Sequence, residues 1–256
     1  MARRKRKPTT GPFLKYIEVL RDRIASPDKY PYSLPAFHNL DQLPFHPHVT
    51  FFVGENGTGK STLLEAIAIL CELNPEGGSR HFTFATCATH SDLHDSLRIA
   101  RIGASPRDSY FLRAESFYNV STEVDKLFPT IEERLPAYGS LSLHQQSHGE
   151  SFFALFSERL RRPGLYLMDE PEAALSPKRQ LEFLALLHQY CNQGSQFIIA
   201  THSPIIMAYP DACIYVFGAQ GLQETPYLET EHYRVTRGFL SNPASNLEIL
   251  MADEPP

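Results

Sequence analysis

The chain has 256 residues, 42% of them hydrophobic and 21% charged, a globular balance that needs no disulfide or metal staple and allows one large domain or two small ones. It carries 24 Lys and Arg against 29 Asp and Glu; five of the cations (Arg3, Arg4, Lys5, Arg6 and Lys7) open the chain, leaving 19 against 29, a net −10, for the rest. An acidic body argues against a protein that coats nucleic acid with its whole surface. No apolar run approaches the roughly 18 residues of a spanning helix, which argues against an integral membrane protein but not against a subunit docked on one.

Residues 1–12 read as a disordered basic tail. Such a tail either binds nucleic acid or an acidic partner, or simply keeps the chain soluble. With no apolar stretch behind it, it does not read as a secretory signal. The four cysteines, Cys71, Cys87, Cys191 and Cys213, form no C-x-x-C pair, which predicts a reducing, cytoplasmic compartment.

Residues 13–256 read as a single domain. Residues 13–20 mix β-formers and predict a first strand. Pro27, Pro31, Pro35, Pro44 and Pro47 then disfavour a long helix before residue 48. Among them Tyr30, Tyr32 and Phe37 either stack on a base or pack beneath a loop. Residues 49–53 predict a buried strand, and residues 61–71 a helix.

From 74 to about 148 the periodicity is weak, and the segment reads as an inserted, mainly helical subregion with one strand near residues 110–112. Arg98 and Arg101, three apart, fit one face of a helix and would extend a basic patch. Cys87, His90 and His94 have a spacing that zinc ligands use, but no fourth ligand accompanies them, and solvent-facing side chains are the simpler reading.

Residues 149–161 return to helix, with Phe152, Phe153, Phe156 and Leu160 at helical spacing. Residues 165–168 predict a buried strand, 177–190 an amphipathic helix with Pro177 at its start, 196–200 a third strand, and 213–217 a fourth that turns into a hairpin at 218–221. The last 20 residues read as helical. Alternating strands and helices define an α/β fold with a largely parallel core sheet.

The chemistry concentrates at Gly54-Glu55-Asn56-Gly57-Thr58-Gly59-Lys60-Ser61, which fits G-x-x-x-x-G-K-[ST] between a predicted strand and a predicted helix. Gly57 and Gly59 let consecutive N–H groups face phosphate oxygens, and the following helix, Thr62 included, adds its positive end. Lys60 is placed for the β- and γ-phosphates of a nucleotide, and the Ser61 hydroxyl for Mg²⁺. Asp169 and Glu170 close the apolar strand 165–168, at the edge where α/β sheets bind ligands. Asp169 supplies a second hard oxygen for Mg²⁺, and Glu170 stands where an attacking water would be polarised. The plainer alternative is that the two carboxylates solvate the turn at Pro171.

These paired motifs resemble the ABC-type ATPases. That resemblance implies a P-loop NTPase head whose cofactors are ATP and Mg²⁺. It places Gln146-Ser147-His148-Gly149-Glu150 at the family's signature loop, with Ser147 and Gly149 matching and His148 and Glu150 departing. It places 173–176 at the D-loop, with Ser176 in place of aspartate, and His202 at the switch histidine that senses the γ-phosphate. Glu115 or Arg113 stands where the family has its Q-loop glutamine.

The short interval between Lys60 and Ser147 is similar to compact heads of the SMC-like and overcoming-lysogenization-defect branches. The resemblance further implies an ATP-dependent homodimer acting as a switch in DNA repair or anti-phage defence, on nucleic acid or a protein effector. The energising subunit of a transporter is the alternative.

Overall fold

The computed structural model describes residues 12–78, 91–103, 105–106, 108–114, 156, 160 and 163–252. In chain order these form β1 (Leu14–Val19), α1 (Pro35–His38), β2 (Gln42–Pro44), β3 (Val49–Gly54), α2 (Lys60–Leu70), β4 (Leu97–Arg101), β5 (Ser109–Arg113) and β6 (Leu165–Asp169). There follow α3 (Pro177–Asn192), β7 (Gln196–Ala200), α4 (Pro204–Met207), β8 (Cys213–Gly218), β9 (Gly221–Glu224), α5 (Glu231–Ser241) and α6 (Pro243–Leu250).

β3, β6 and β7 are buried along their whole length, and their side chains alternate between two cores. Val49, Phe51, Val53, Tyr166, Met168, Phe197 and Ile199 join Phe183 and Leu187 of α3. Phe52, Leu165, Leu167, Ile198 and Ala200 join Leu63, Leu64 and Ile67 of α2 and Ile17 of β1. Burial on both faces is what a central parallel strand requires. The resulting sheet runs β5-β6-β7-β3-β8-β9, parallel throughout except for the β8–β9 hairpin. This bears out the α/β, P-loop NTPase expectation.

A second, antiparallel sheet of order β2-β1-β4 lies on the α2 side. Its β4 corrects the helical reading of Arg98 and Arg101. Arg98 faces Glu18 across the β1–β4 register and pairs with its carboxylate at 2.6 Å. Arg101 donates to the carbonyl of Leu70 at 2.7 Å, closing the C-terminal end of α2, where a cation is favoured. Arg98 alternates with Leu97 and Ile99, but a period-two pattern of three residues is too short to outweigh the (i, i+3) spacing of the two arginines.

Gln196 joins the two sheets. Its side chain is fully buried and makes four hydrogen bonds: Oε1 accepts from the N–H groups of Phe13 and Leu14, both at 2.8 Å, and Nε2 donates to the carbonyls of Leu14 and His46.

Candidate functional site

Four strands end along one edge of the parallel sheet. β3 delivers Gly54, β5 Arg113, β6 Asp169, and β7 leads into Thr201 and His202. Backbone bonds stitch the edge together: Glu170 N–H to the Ala200 carbonyl at 2.9 Å, and Thr201 N–H to the Phe52 carbonyl at 3.0 Å.

The loop from Gly54 to Gly59 needs its glycines for separate reasons. Gly54 sits at φ 146°, and a Cβ there would lie 2.4 Å from the Phe217 carbonyl oxygen of β8. Gly59 caps α2 at φ 100°, against Leu34 and Phe37, and a Cβ would come within 2.9 Å of Leu34. Gly57, at φ 79°, meets nothing within 4 Å and is there for its left-handed backbone alone. Thr58 Oγ1 donates to the Glu55 carbonyl at 2.8 Å and tightens the loop.

Lys60 is almost wholly buried, and its ammonium donates to the carbonyls of Gly54 (2.7 Å) and Glu55 (2.8 Å). Two of its three donors are thereby spent, and one is available to a phosphate oxygen. Burial lowers the Lys60 pKa from its ordinary value, against the pull of Glu170, Asp169, Glu55 and Glu172. Among the described residues no side chain caps the N-terminus of α2, so its first N–H groups can serve an anion. A small pocket of about 140 Å³ lies over this loop, lined by Asn56, Gly57, Gly59, Lys60, Ser61 and Thr62 together with Tyr30 and Glu170.

Ser61 Oγ donates to Asp169 Oδ1 at 3.1 Å. A hydroxyl and a carboxylate side by side form a hard-oxygen donor set that suits Mg²⁺, which takes its remaining ligands from water and phosphate. Among the described residues no group of three or more His, Cys, Asp and Glu gathers to hold a metal ion. Of the zinc-spaced trio, Cys87 and His90 lie outside the described residues, and His94 is engaged with the Ser91 carbonyl.

Glu170 has a left-handed backbone, φ 51° and ψ 52°, an unfavourable conformation for a residue with a Cβ and one often found at active sites. Its Oε1 lies 3.4 Å from His202 Nε2. Burial, then Lys60, lowers the His202 pKa, with Glu170 opposing, which favours the neutral imidazole.

Two residues here carry no sequence signal. Glu172, in the turn Pro171–Ala174, accepts the His202 backbone N–H on Oε1 and the Thr201 hydroxyl on Oε2. His232, on α5, brings Nε2 to 3.3 Å from His202 Nδ1.

The remaining candidates separate. Arg113 pairs with Glu65 and has Nε 3.6 Å from Asp169 Oδ2, so it touches the site's acid. Glu115, Ser147 and Gly149 lie outside the described residues. Ser176 accepts the Arg179 N–H and caps α3, which accounts for serine there. Of the three aromatics, Phe37 and Tyr32 are buried, whereas Tyr30 is exposed at the pocket and hydrogen-bonded to Thr62 Oγ1 at 2.7 Å.

The chain is similar to several known proteins. The family profile described as "AAA domain, putative AbiEii toxin, Type IV TA system" matches residues 82–208, and a second, "AAA domain", matches residues 34–125. The cytochrome c biogenesis ATP-binding export protein CcmA of Mesorhizobium japonicum is 30% identical over 161 residues, 59% of this chain and 77% of that protein. The energy-coupling factor transporter ATP-binding protein EcfA of Carboxydothermus hydrogenoformans is 28% identical over 166 residues, 60% of each chain. The match thus spans about three fifths of EcfA's length. The SMC head domain from Thermotoga maritima superposes with a TM-score of 0.46 at 17% identity, over 83% of this chain and 98% of that one.

The chain belongs to the ABC-type P-loop ATPases, a family of ATP-binding and ATP-hydrolysing proteins.

Proposed function

We propose that the protein binds ATP with Mg²⁺ at the loop from Gly54 to Thr62 and hydrolyses it to ADP and phosphate. The observation that supports this most directly is the convergence at one sheet edge of Lys60, the Ser61–Asp169 pair and the Glu170–His202 pair. Lys60 and the N–H groups at the start of α2 hold phosphate oxygens. Ser61 and Asp169 hold Mg²⁺, which when bound neutralises charge on the β- and γ-phosphates. Glu170 orients the attacking water and accepts its proton, and His202 donates from Nε2 to a γ-phosphate oxygen. Tyr30 is the side chain placed for the nucleotide base.

Residues 13–256 then act as one ATPase domain, with the inserted subregion at about 74–148. Ser147 and Gly149 complete the nucleotide site of a second copy, so ATP favours a homodimer and hydrolysis releases it. We assign this switch to DNA repair or anti-phage defence in the cytoplasm, acting on a protein effector or nucleic acid. The family profile naming AbiEii is compatible with that role. A transporter role is favoured instead by the names of CcmA and EcfA. Among the described residues no helix is long and apolar enough to cross a membrane, so that role needs a separate membrane partner.

The test is phosphate release from ATP with Mg²⁺ by the wild type, Lys60→Ala and Glu170→Gln proteins. The expected result is turnover in the wild type and a loss of about 100-fold or more in Glu170→Gln. Lys60→Ala should weaken ATP binding by about tenfold or more, the scale of one charge-assisted hydrogen bond. Equal turnover in all three would overturn the site.

A further inference from the structure

We propose that His232 is a positioning residue that fixes the tautomer of His202, keeping the His202 proton on Nε2, the nitrogen that faces Glu170. The proposal rests on the reading of His202 as a donor to the γ-phosphate, and adds to it the group that makes His202 a donor.

Among the described residues, each ring nitrogen of His202 has one polar side chain beside it. Nδ1 lies 3.3 Å from His232 Nε2, and Nε2 lies 3.4 Å from Glu170 Oε1. A neutral imidazole has one donor and one acceptor nitrogen. If His202 donated from Nδ1 to His232, its Nε2 would turn a lone pair toward the Glu170 carboxylate, and toward any phosphate oxygen, and neither can donate. If His232 donates from Nε2 instead, His202 Nδ1 accepts and His202 Nε2–H is free to donate to an oxygen. Among the described residues His202 Nε2 is buried and makes no hydrogen bond, so only the second arrangement turns a proton rather than a lone pair toward Glu170 and an incoming oxygen. The hydrogen bond at one ring nitrogen decides the state of the other.

A doubly protonated His202 is disfavoured, because burial and Lys60 both lower its pKa. His232 is likewise lowered by burial, with Glu55 and Glu231 opposing and Lys60 adding to the effect. Both shifts favour the neutral ring, whose single proton can sit on either nitrogen.

His232 is held in place by the segment that carries its target. The turn Tyr227–Glu229 precedes α5, and the Tyr227 hydroxyl donates to the Pro204 carbonyl, two residues past His202, at 2.9 Å. Thr230, 1% exposed, donates to the Tyr227 carbonyl and caps α5 by accepting the Tyr233 N–H. The ring of Tyr233 packs on Tyr227 with centroids 4.7 Å apart. The beginning of α5 and the histidine loop are thus one fastened unit, and His232 projects from it onto His202.

The experiment compares His232→Gln with His232→Glu. The two side chains have the same shape and differ in one capacity: the glutamine amide, which also accepts, can still donate to His202 Nδ1, and the glutamate carboxylate can only accept. The first readout is the ¹⁵N shifts of His202 in the full chain labelled at histidine, assigned by loss of the signal in His202→Gln. The expected result is the Nε2–H tautomer in the wild type and in His232→Gln, with a shift to Nδ1–H or to the imidazolium in His232→Glu. The second readout is steady-state ATP hydrolysis. We expect kcat to stay within a few-fold in His232→Gln and to fall by about 10-fold to 100-fold in His232→Glu, with the KM for ATP little changed in both.

An Nδ1–H tautomer in the wild type would overturn the proposal even if no variant folds. Indistinguishable His202 tautomers in the Gln and Glu variants would overturn it too. The ¹⁵N measurement needs no turnover, so it judges His232 separately from the reading of the site as an ATPase, which Lys60→Ala and Glu170→Gln decide.

Discussion

Glu172 holds His202 by its main chain: one carboxylate oxygen accepts the His202 N–H, and the other accepts the Thr201 hydroxyl at 2.8 Å. The turn after the acidic strand is thereby fixed to the loop after β7, and a displacement of either carries the other. Burial raises the Glu172 pKa, while the same hydrogen bonds pull it down.

Glu172→Gln therefore tests the coupling with little change of shape. An amide must turn an NH₂ toward one of two donors, so the variant should lose about 1–3 kcal/mol of stability, the scale of a buried unsatisfied donor. ATP hydrolysis should fall with it, because His202 is released from its anchor. Denaturant unfolding alongside phosphate release checks both, and a variant unchanged in each would show that the two loops are held independently.

Gln196→Leu addresses the junction of the two sheets. Leucine suits the buried site in size but leaves the N–H groups of Phe13 and Leu14 without their acceptor and the carbonyls of Leu14 and His46 without their donor. The expected loss is about 3 kcal/mol or more, read from the denaturant midpoint. Nucleotide affinity per folded molecule should be unchanged, since Gln196 begins β7, at the end of the strand away from the phosphate loop.

Acid should destabilise the fold early. Burial lowers the pKa values of His46, His202 and His232 from the usual 6.5, so near that pH the unfolded chain binds more protons than the folded one. The stability they contribute is present above about pH 6.5 and is lost as the pH falls through their folded values. Glu172, raised by burial, works in the opposite sense, nearer the ordinary carboxyl range. Thermal melts across this range should show the midpoint falling with pH. Replacing His202 and His232 with glutamine should reduce the slope, and an unaltered slope would mean that neither ring titrates abnormally.

Much of this architecture is legible in the sequence because single local rules decide it. A five-residue apolar run before a glycine turn specified β3, and a proline after a serine marked the start of α3. The candidate phosphate loop, Asp169 and Glu170 are legible because their motifs need fixed spacing beside strands, and His202 is legible through the family resemblance. What escaped depends on partners distant in the chain. β4 is a strand because its backbone pairs with β1, as where Arg98 lies opposite Glu18, 80 residues away, and Gln196 matters because it reaches Phe13 across 183. Glu172 and His232 belong to the site through contacts each spanning 30 residues, and neither sits in a motif. The nearby aromatics were indistinguishable by type, and only packing separates exposed Tyr30 from buried Tyr32 and Phe37.

In the proposed switch, ATP joins two copies and hydrolysis parts them. Glu170→Gln keeps the size of the side chain and leaves Ser61 and Asp169 untouched, but removes the carboxylate that orients water. Light scattering on size-exclusion peaks, run with ATP and Mg²⁺, with ADP and without nucleotide, measures the mass directly. The account predicts a Glu170→Gln dimer with ATP alone, abolished by adding Ser147→Arg. A Glu170→Gln protein that binds ATP and remains monomeric at saturation would contradict it.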